Sequence, residues 1–232
     1  MGDDDGDAAD EPGDALGERQ GESAGQAGGP WDSGDAYPEY ERVDLGSVRV
    51  PVGAGHEVQL FVAENQGAWI TVIRGESGLQ VQAFAAPKRS GLWDDVRGEI
   101  ADELAAGGGK SEEASGPFGT ELHAHVPADA ANPRGARQLV RFIGVDGPRW
   151  FLRGVISGPA ARRAELAKPL EDVFRDIVVV RGEHPVPPRD LLELRLPAEA
   201  RQAIEDQEAE AQAQGRPPLN PFERGPEITE TR

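Results

Sequence analysis

The sequence predicts an α+β fold: a mostly antiparallel sheet built from two βββα units, with two helices packed on it. Three observations carry this. Strand-like alternation recurs in groups closed by turn residues. The segment Leu92-Trp93-Asp94-Asp95-Val96-Arg97-Gly98-Glu99-Ile100 is echoed at helical spacing by Pro169-Leu170-Glu171-Asp172-Val173-Phe174-Arg175-Asp176-Ile177. The apolar residues, 38% of the 232, are concentrated between positions 45 and 197. That stretch is expected to form a single domain, with a pseudo-repeat over 56–106 and 119–177.

The ends differ from the middle in charge. Residues 1–44 hold 14 Asp and Glu against Arg19 and Arg42, a net charge of −12 with few large apolar side chains. Such a composition buries too little surface to offset chain entropy, so a disordered acidic arm is expected there. Residues 198–232 carry 8 acidic and 4 basic residues among Gln, Ala and Pro. A marginal helix and a polar tail follow, because Ile204 is the only strong apolar residue over 198–214. Of the total charge of −18, only −2 belongs to residues 45–197.

The first unit opens near Val43, where Leu45, Val48, Val50 and Val52 alternate as far as the Gly53-Ala54-Gly55 turn, a short edge strand. Residues 56–63, 69–74 and 79–84 then give three antiparallel strands, the last two joined through Gly75-Glu76-Ser77-Gly78. With Arg74 opposite Leu79, Val72 meets Val81 and Ile70 meets Ala83 on one apolar face. Trp93, Val96, Ile100 and Leu104 keep helical spacing, with Ser90 as cap and Asp94 and Asp95 in the first turn, where the helix dipole favours acids. Gly107-Gly108-Gly109 ends this helix and reads as a flexible linker.

The second unit repeats the order, with strands over 120–126, 138–145 and 149–157, the last two joined through Asp146-Gly147-Pro148. With Gly144 opposite Arg149, apolar residues fall on both faces, so this hairpin is expected at the centre of the sheet. Leu166, Leu170, Val173 and Ile177 give the second helix, interrupted by Pro169. Residues 177–180 and 191–196 are expected as further short strands.

Cysteine is absent, which excludes disulfides, thiolate metal sites and cysteine nucleophiles and suits a reducing compartment. The start lacks the basic and apolar regions of a secretory signal, and no run approaches the length needed to span a bilayer. A cytoplasmic protein is expected. The net acidity argues against nucleic acid as a partner, since phosphate binding needs a basic footprint. Arginine outnumbers lysine 21 to 3, a usage that fits a GC-rich genome.

Candidate chemistry is sparse. Gly109-Lys110-Ser111 matches the end of a phosphate-binding loop, but Leu104 occupies the position of its first glycine, and the run ends a helix where it should begin one. Glu121, His123 and His125 alternate, so a strand places them on one face, where an imidazole pair and a carboxylate suit a divalent metal. The plainer alternative is a solvent-facing polar row opposite Leu122, Ala124 and Val126. Six arginines lie between 137 and 163 with Asp146 as the only acid. Of these, Arg141, Arg149 and Arg153 are the candidates for an anion or a partner carboxylate, with Arg149 and Arg153 expected on one strand face. The protein's own acidic arm is one such occupant. Asn220, Pro221 and Phe222 form a turn-rich segment with one aromatic anchor, the pattern of a docking peptide.

No nucleophile elbow, paired-carboxylate motif or cofactor fingerprint is present, so no cofactor is expected. A non-enzymatic protein-interaction or adaptor module is favoured, with self-association as a further partner class. A metal-dependent or small-molecule enzyme on the Glu121, His123 and His125 face is the alternative. Over Arg141–Gly154, with Pro87–Asp95 and Asn220–Gly225, the chain resembles an actinobacterial family of small proteins catalogued as a domain of unknown function. The resemblance covers roughly residues 35–230. It implies a bacterial cytoplasmic protein without an assigned activity and transfers no catalytic residue.

Overall fold

A computed structural model describes residues 28–63, 67–88, 91–127, 135–197 and 202. Along the chain run β1 (Trp31–Asp32), β2 (Arg42–Asp44), β3 (Val48–Pro51), β4 (Glu57–Ala63), β5 (Gly67–Arg74), β6 (Ser77–Ala85) and α1 (Leu92–Ala106). There follow β7 (Lys110–Gly116), β8 (Gly119–Pro127), β9 (Arg137–Gly147), β10 (Trp150–Ser157), a 3-10 turn (Gly158–Ala161), α2 (Ala164–Arg175) and β11 (Val178–Val179). The chain is α+β, with a seven-stranded antiparallel sheet in the order β4-β5-β6-β10-β9-β8-β7 and a smaller sheet β1-β11-β3-β2.

The two units are the meander β4-β5-β6 followed by α1, and the meander β8-β9-β10 followed by α2. They join where β6 and β10 pair at the middle of the sheet, Leu152 opposite Ala83 and Arg153 opposite Gln82. The helices cover opposite faces. On one face Trp93 of α1 stacks on Phe151, which stacks in turn on Phe84. On the other, Phe174 of α2 comes so close to Gly154 that a Cβ there would lie 2.9 Å from Phe174 Cε2. The small sheet shares that second face and closes the main core, where Leu45, Val48, Val50 and Val179 join Ile70, Val72, Leu79, Val81 and Leu152, all buried. Trp150 Nε1 donates to Asp32 Oδ2 at 2.6 Å and ties the two sheets together. The echoed segment opens α1 but runs past the end of α2, so its copies share amphipathic spacing and occupy different parts of their helices.

Both hairpins are tighter than the spacing predicts. Arg74 faces Ser77 and Val72 faces Leu79. The turn is Gly75-Glu76, with Gly75 at φ 58°, the left-handed value a two-residue hairpin favours. In the second hairpin Trp150 faces Gly147, with Pro148 and Arg149 as the turn and Arg149 at φ 64°. The offsets are two and four residues. Because the side-chain period is two, each predicted face survives.

Strand β7 is an addition within the stretch after Gly109. Lys110-Ser111-Glu112-Glu113-Ala114-Ser115-Gly116 has no apolar alternation and owes its place to pairing with β8 along its length. It is a charged edge strand, of the kind that resists further pairing. The boundary of the acidic arm also moves. Residues 28–44 contribute β1, parallel to β11, and β2, antiparallel to β3. Composition averaged over 44 residues hides Trp31, Tyr37 and Tyr40; the Arg42 guanidinium lies 5.2 Å from the Tyr37 ring and 5.3 Å from the Tyr40 ring. Residues 1–27 and, apart from Gln202, 198–232 lie outside the described residues. Of the two expected late strands, the first is β11, and the second is reduced to bridges at Leu191 and Leu194.

The cap expected at Ser90 lies outside the described residues, and the start of α1 is held instead from β9. Asp146 accepts from the backbone N–H of Gly91 at 3.2 Å and of Trp93 at 3.3 Å. Burial pushes the Asp146 carboxyl above its ordinary value, against these amides, which pull it down, and with Asp94 adding to the rise. A carboxyl raised on folding gives stability that is present in full below its unfolded value of about 3.9 and is lost as pH climbs through the raised value. Asp146→Asn therefore removes part of the decline in stability above about pH 4. Urea titrations of both proteins from pH 3 to 7 check this. Asp176, raised by burial too, is common to both and cancels in the difference. A constant difference across the range would show that Asp146 titrates alike in both states.

Candidate functional site: an arginine-lined hollow

The 3-10 turn packs on the β5-β6 turn, Ala160 N–H donating to Ser77 Oγ at 3.0 Å. The backbone N–H groups of Arg162 and Arg163 both donate to Pro159 O at 3.1 Å, which fixes where these two residues leave the turn. Opposite them β9 begins with Arg137, whose Nη1 donates to His125 O at 3.0 Å. Arg137, Arg162 and Arg163 thus surround a hollow of about 450 Å³ whose floor includes Leu139 and Pro159. Among the described residues, the one carboxylate within 4.0 Å of these guanidiniums is Glu165, at that distance from Arg163 with both side chains more than half exposed. Exposed pairs of this kind contribute little. Three arginines lining one concavity are suited to receive carboxylates.

Arg141, Arg149 and Arg153 do not come together. Arg141 is buried on the α2 face of the sheet, where its Nε and Nη2 donate to the two oxygens of Glu121, each at 2.8 Å, and Nη2 also reaches Glu171 Oε1 at 2.7 Å. Burial works to lower the Arg141 guanidinium, and the two carboxylates more than reverse this and leave it raised. Arg153 points to the opposite face, donating to Gln82 Oε1 and lying over the Phe84 ring. Arg149 sits in the β9-β10 turn and not on a strand face, its carbonyl accepting from Ala86 N–H at 2.9 Å and from Arg181 Nε at 3.2 Å. The tighter hairpin is the cause, because it places Arg149 at the bend.

Glu121, His123 and His125 do share a face, directed toward α2. Glu121 is not a solvent-facing residue; at 1% exposure it lies beneath the sheet edge with both oxygens taken by Arg141. His123 Nε2 is 3.3 Å from Glu121 Oε2, and His125 is exposed at the strand end. Among the described residues no three His, Asp or Glu side chains are arranged to hold a metal ion. Asn220, Pro221 and Phe222 lie outside the described residues. Residues 162 and 163 entered the sequence reading only through the count of six arginines; the Gly158-Pro159 turn that aims them was the available signal.

No helix among the described residues is long and apolar enough to cross a membrane. No curated protein matches the chain in sequence. Among solved structures, cyanobacterial PsbP (CyanoP) from Synechocystis sp. PCC 6803, determined in solution, is similar at 12% identity and a TM-score of 0.36, over 65% of this chain and 99% of that one. The model of a family described as a protein of unknown function (DUF3710) matches residues 29–203, three quarters of the chain, and the protein belongs to that family.

Proposed function

We propose that the protein is a non-enzymatic interaction or adaptor module that docks an acidic segment of a partner protein in the hollow of Arg137, Arg162 and Arg163. The observation that supports this is that three arginines, one at the start of β9 and two directly after the 3-10 turn, line one concavity, with Glu165 at 4.0 Å from Arg163 the nearest carboxylate among the described residues. The Glu121, His123 and His125 face is less suited to a metal, because Arg141 already neutralises Glu121. We place the protein in an actinobacterial cytoplasm: the source rests on the family resemblance over Arg141–Gly154, with which a GC-rich usage of arginine for lysine agrees, and the compartment is supported by the lack of cysteine. Protein is preferred over nucleic acid as the partner because nucleic-acid binding needs an extended basic footprint, and three arginines lining one hollow do not supply one.

The test is fluorescence anisotropy of a labelled Glu-rich peptide against the full chain and against Arg162→Glu combined with Arg163→Glu. Binding is expected to weaken at least about tenfold in the variant and to fall with added salt, as for charge-steered contacts. Equal affinity for both proteins, or affinity indifferent to salt, overturns the proposal.

A further inference from the structure

On the α1 side of the sheet, a second hollow of about 450 Å³ lies between the C-terminal half of α1 and the strands β9 and β10. Ile100, Leu104 and Phe142 give it apolar walls, Glu103 stands at its rim, and Arg137 and Arg153 line it. Arg153 is the unusual member. Its guanidinium is largely buried, and burial alone pulls it below its ordinary range. Its contacts are a neutral acceptor, Gln82 Oε1, and the ring of Phe84 at 5.3 Å from the guanidinium carbon.

Among the described residues no carboxylate lies within 4 Å of Arg153, whereas Arg141 on the opposite face is buried against two. A guanidinium has five N–H donors, and a buried charge without a counter-charge is costly. A carboxylate entering the hollow would accept from two N–H groups of Arg153 in the planar fork that guanidinium and carboxylate share. The apolar walls require that the carboxylate carry an apolar body, as pockets of this size commonly combine hydrophobic lining with one or two polar anchors. A compact dianion such as phosphate has no use for Ile100, Leu104 and Phe142, and its second charge doubles the repulsion from Glu103 that a monocarboxylate also meets.

We infer that this hollow binds a small monocarboxylic acid with an aliphatic or aryl body, its carboxylate held by Arg153 and its apolar part laid along α1. The site shares Arg137 with the proposed docking hollow, but its anchor is Arg153, so the variant at Arg162 and Arg163 separates the two.

Calorimetric titration of the full chain with octanoate tests this, with octanol as the uncharged analogue and inorganic phosphate as the apolar-free anion. Octanoate is expected to bind one per chain, with octanol at least about tenfold weaker, equivalent to about 1.4 kcal/mol. Arg153→Gln is expected to weaken octanoate by about the same factor. Leu104→Glu, at a half-buried position on α1 that leaves the sheet untouched, places a carboxylate within the walls and should weaken octanoate similarly; it carries the test alone if Arg153→Gln fails to fold. Arg162→Glu with Arg163→Glu should leave octanoate binding unchanged. Absence of saturable octanoate binding, equal affinity for octanol, displacement of octanoate by equimolar phosphate, or full affinity in folded Arg153→Gln or Leu104→Glu overturns the inference.

Discussion

Glu121→Ala lowers the free energy of unfolding by about 3 to 5 kcal/mol, the range for breaking a buried ion pair from one side. Glu121 is almost fully buried and takes two charge-assisted hydrogen bonds from Arg141, itself 8% exposed. Removing the carboxylate leaves the guanidinium with Glu171 alone, a single contact at 2.7 Å, and opens a space beside Gly116, which has no side chain to fill it. Glu171→Ala should cost much less, because Glu121 continues to neutralise Arg141 through both of its oxygens. Glu121→Leu combined with Arg141→Met removes both buried charges and should recover most of the loss. Urea denaturation of the four proteins at pH 7 measures this. A cost below about 1 kcal/mol for Glu121→Ala, the level of an exposed pair, would show that water reaches the site.

This network also explains what was legible in the sequence and what was not. The alternation of Glu121, His123 and His125 correctly places three side chains on one face, since strand periodicity is a local property. What they face is not local: Arg141 arrives from β9, 20 residues beyond Glu121, and Glu171 from α2, 30 residues beyond Arg141. Three polar residues in alternation look alike whether they meet solvent, a metal or a guanidinium. The strands of the two meanders were legible because Ile70, Val72, Val81 and Leu152 alternate strongly, and their faces survive the tighter turns because those offsets are even. Strand β7 was not, since its pairing with β8 is made by the backbone and its side chains carry no period. Residues 28–44 show the limit of composition: β1 rests on parallel pairing with Val178 and Val179, nearly 150 residues away, and on Asp32 beneath Trp150. Arg162 and Arg163 likewise gain a common target with Arg137 only when the 3-10 turn is folded against Ser77.

The second large effect is expected at Trp93, where Trp93→Ala should cost about 3 to 5 kcal/mol. Helix α1 has a narrow apolar stripe: Leu92 and Trp93 are its buried residues, with Val96 and Ile100 packed alongside at partial burial. The Trp93 ring is therefore the largest buried anchor of α1 on the sheet. That ring lies 5.9 Å from Phe151 at an interplanar angle of 20°, donates through Nε1 to Thr120 O at 2.7 Å and carries the Arg97 guanidinium at 5.6 Å. It also occupies the space above Gly144, where a Cβ would stand 2.4 Å from Trp93 Cδ2. Gly144→Ala alone should thus destabilise by about 1 to 3 kcal/mol through overpacking. In the Trp93→Ala background the nearest obstruction is gone and only Phe151 Cε2, 2.8 Å from such a Cβ, remains, with the vacated space to move into, so the same substitution should cost clearly less. The double-mutant cycle by urea denaturation is expected to give a coupling of at least about 1 kcal/mol, large for an alanine. Hydrogen exchange separates the local consequence from the global one: in Trp93→Ala the amides of α1 should lose protection beyond the global change, while those of α2, anchored on the other face by Phe174, should follow the global change alone. Additive costs at Trp93 and Gly144, or equal loss of protection in both helices, would mean that α1 is held by something other than this ring.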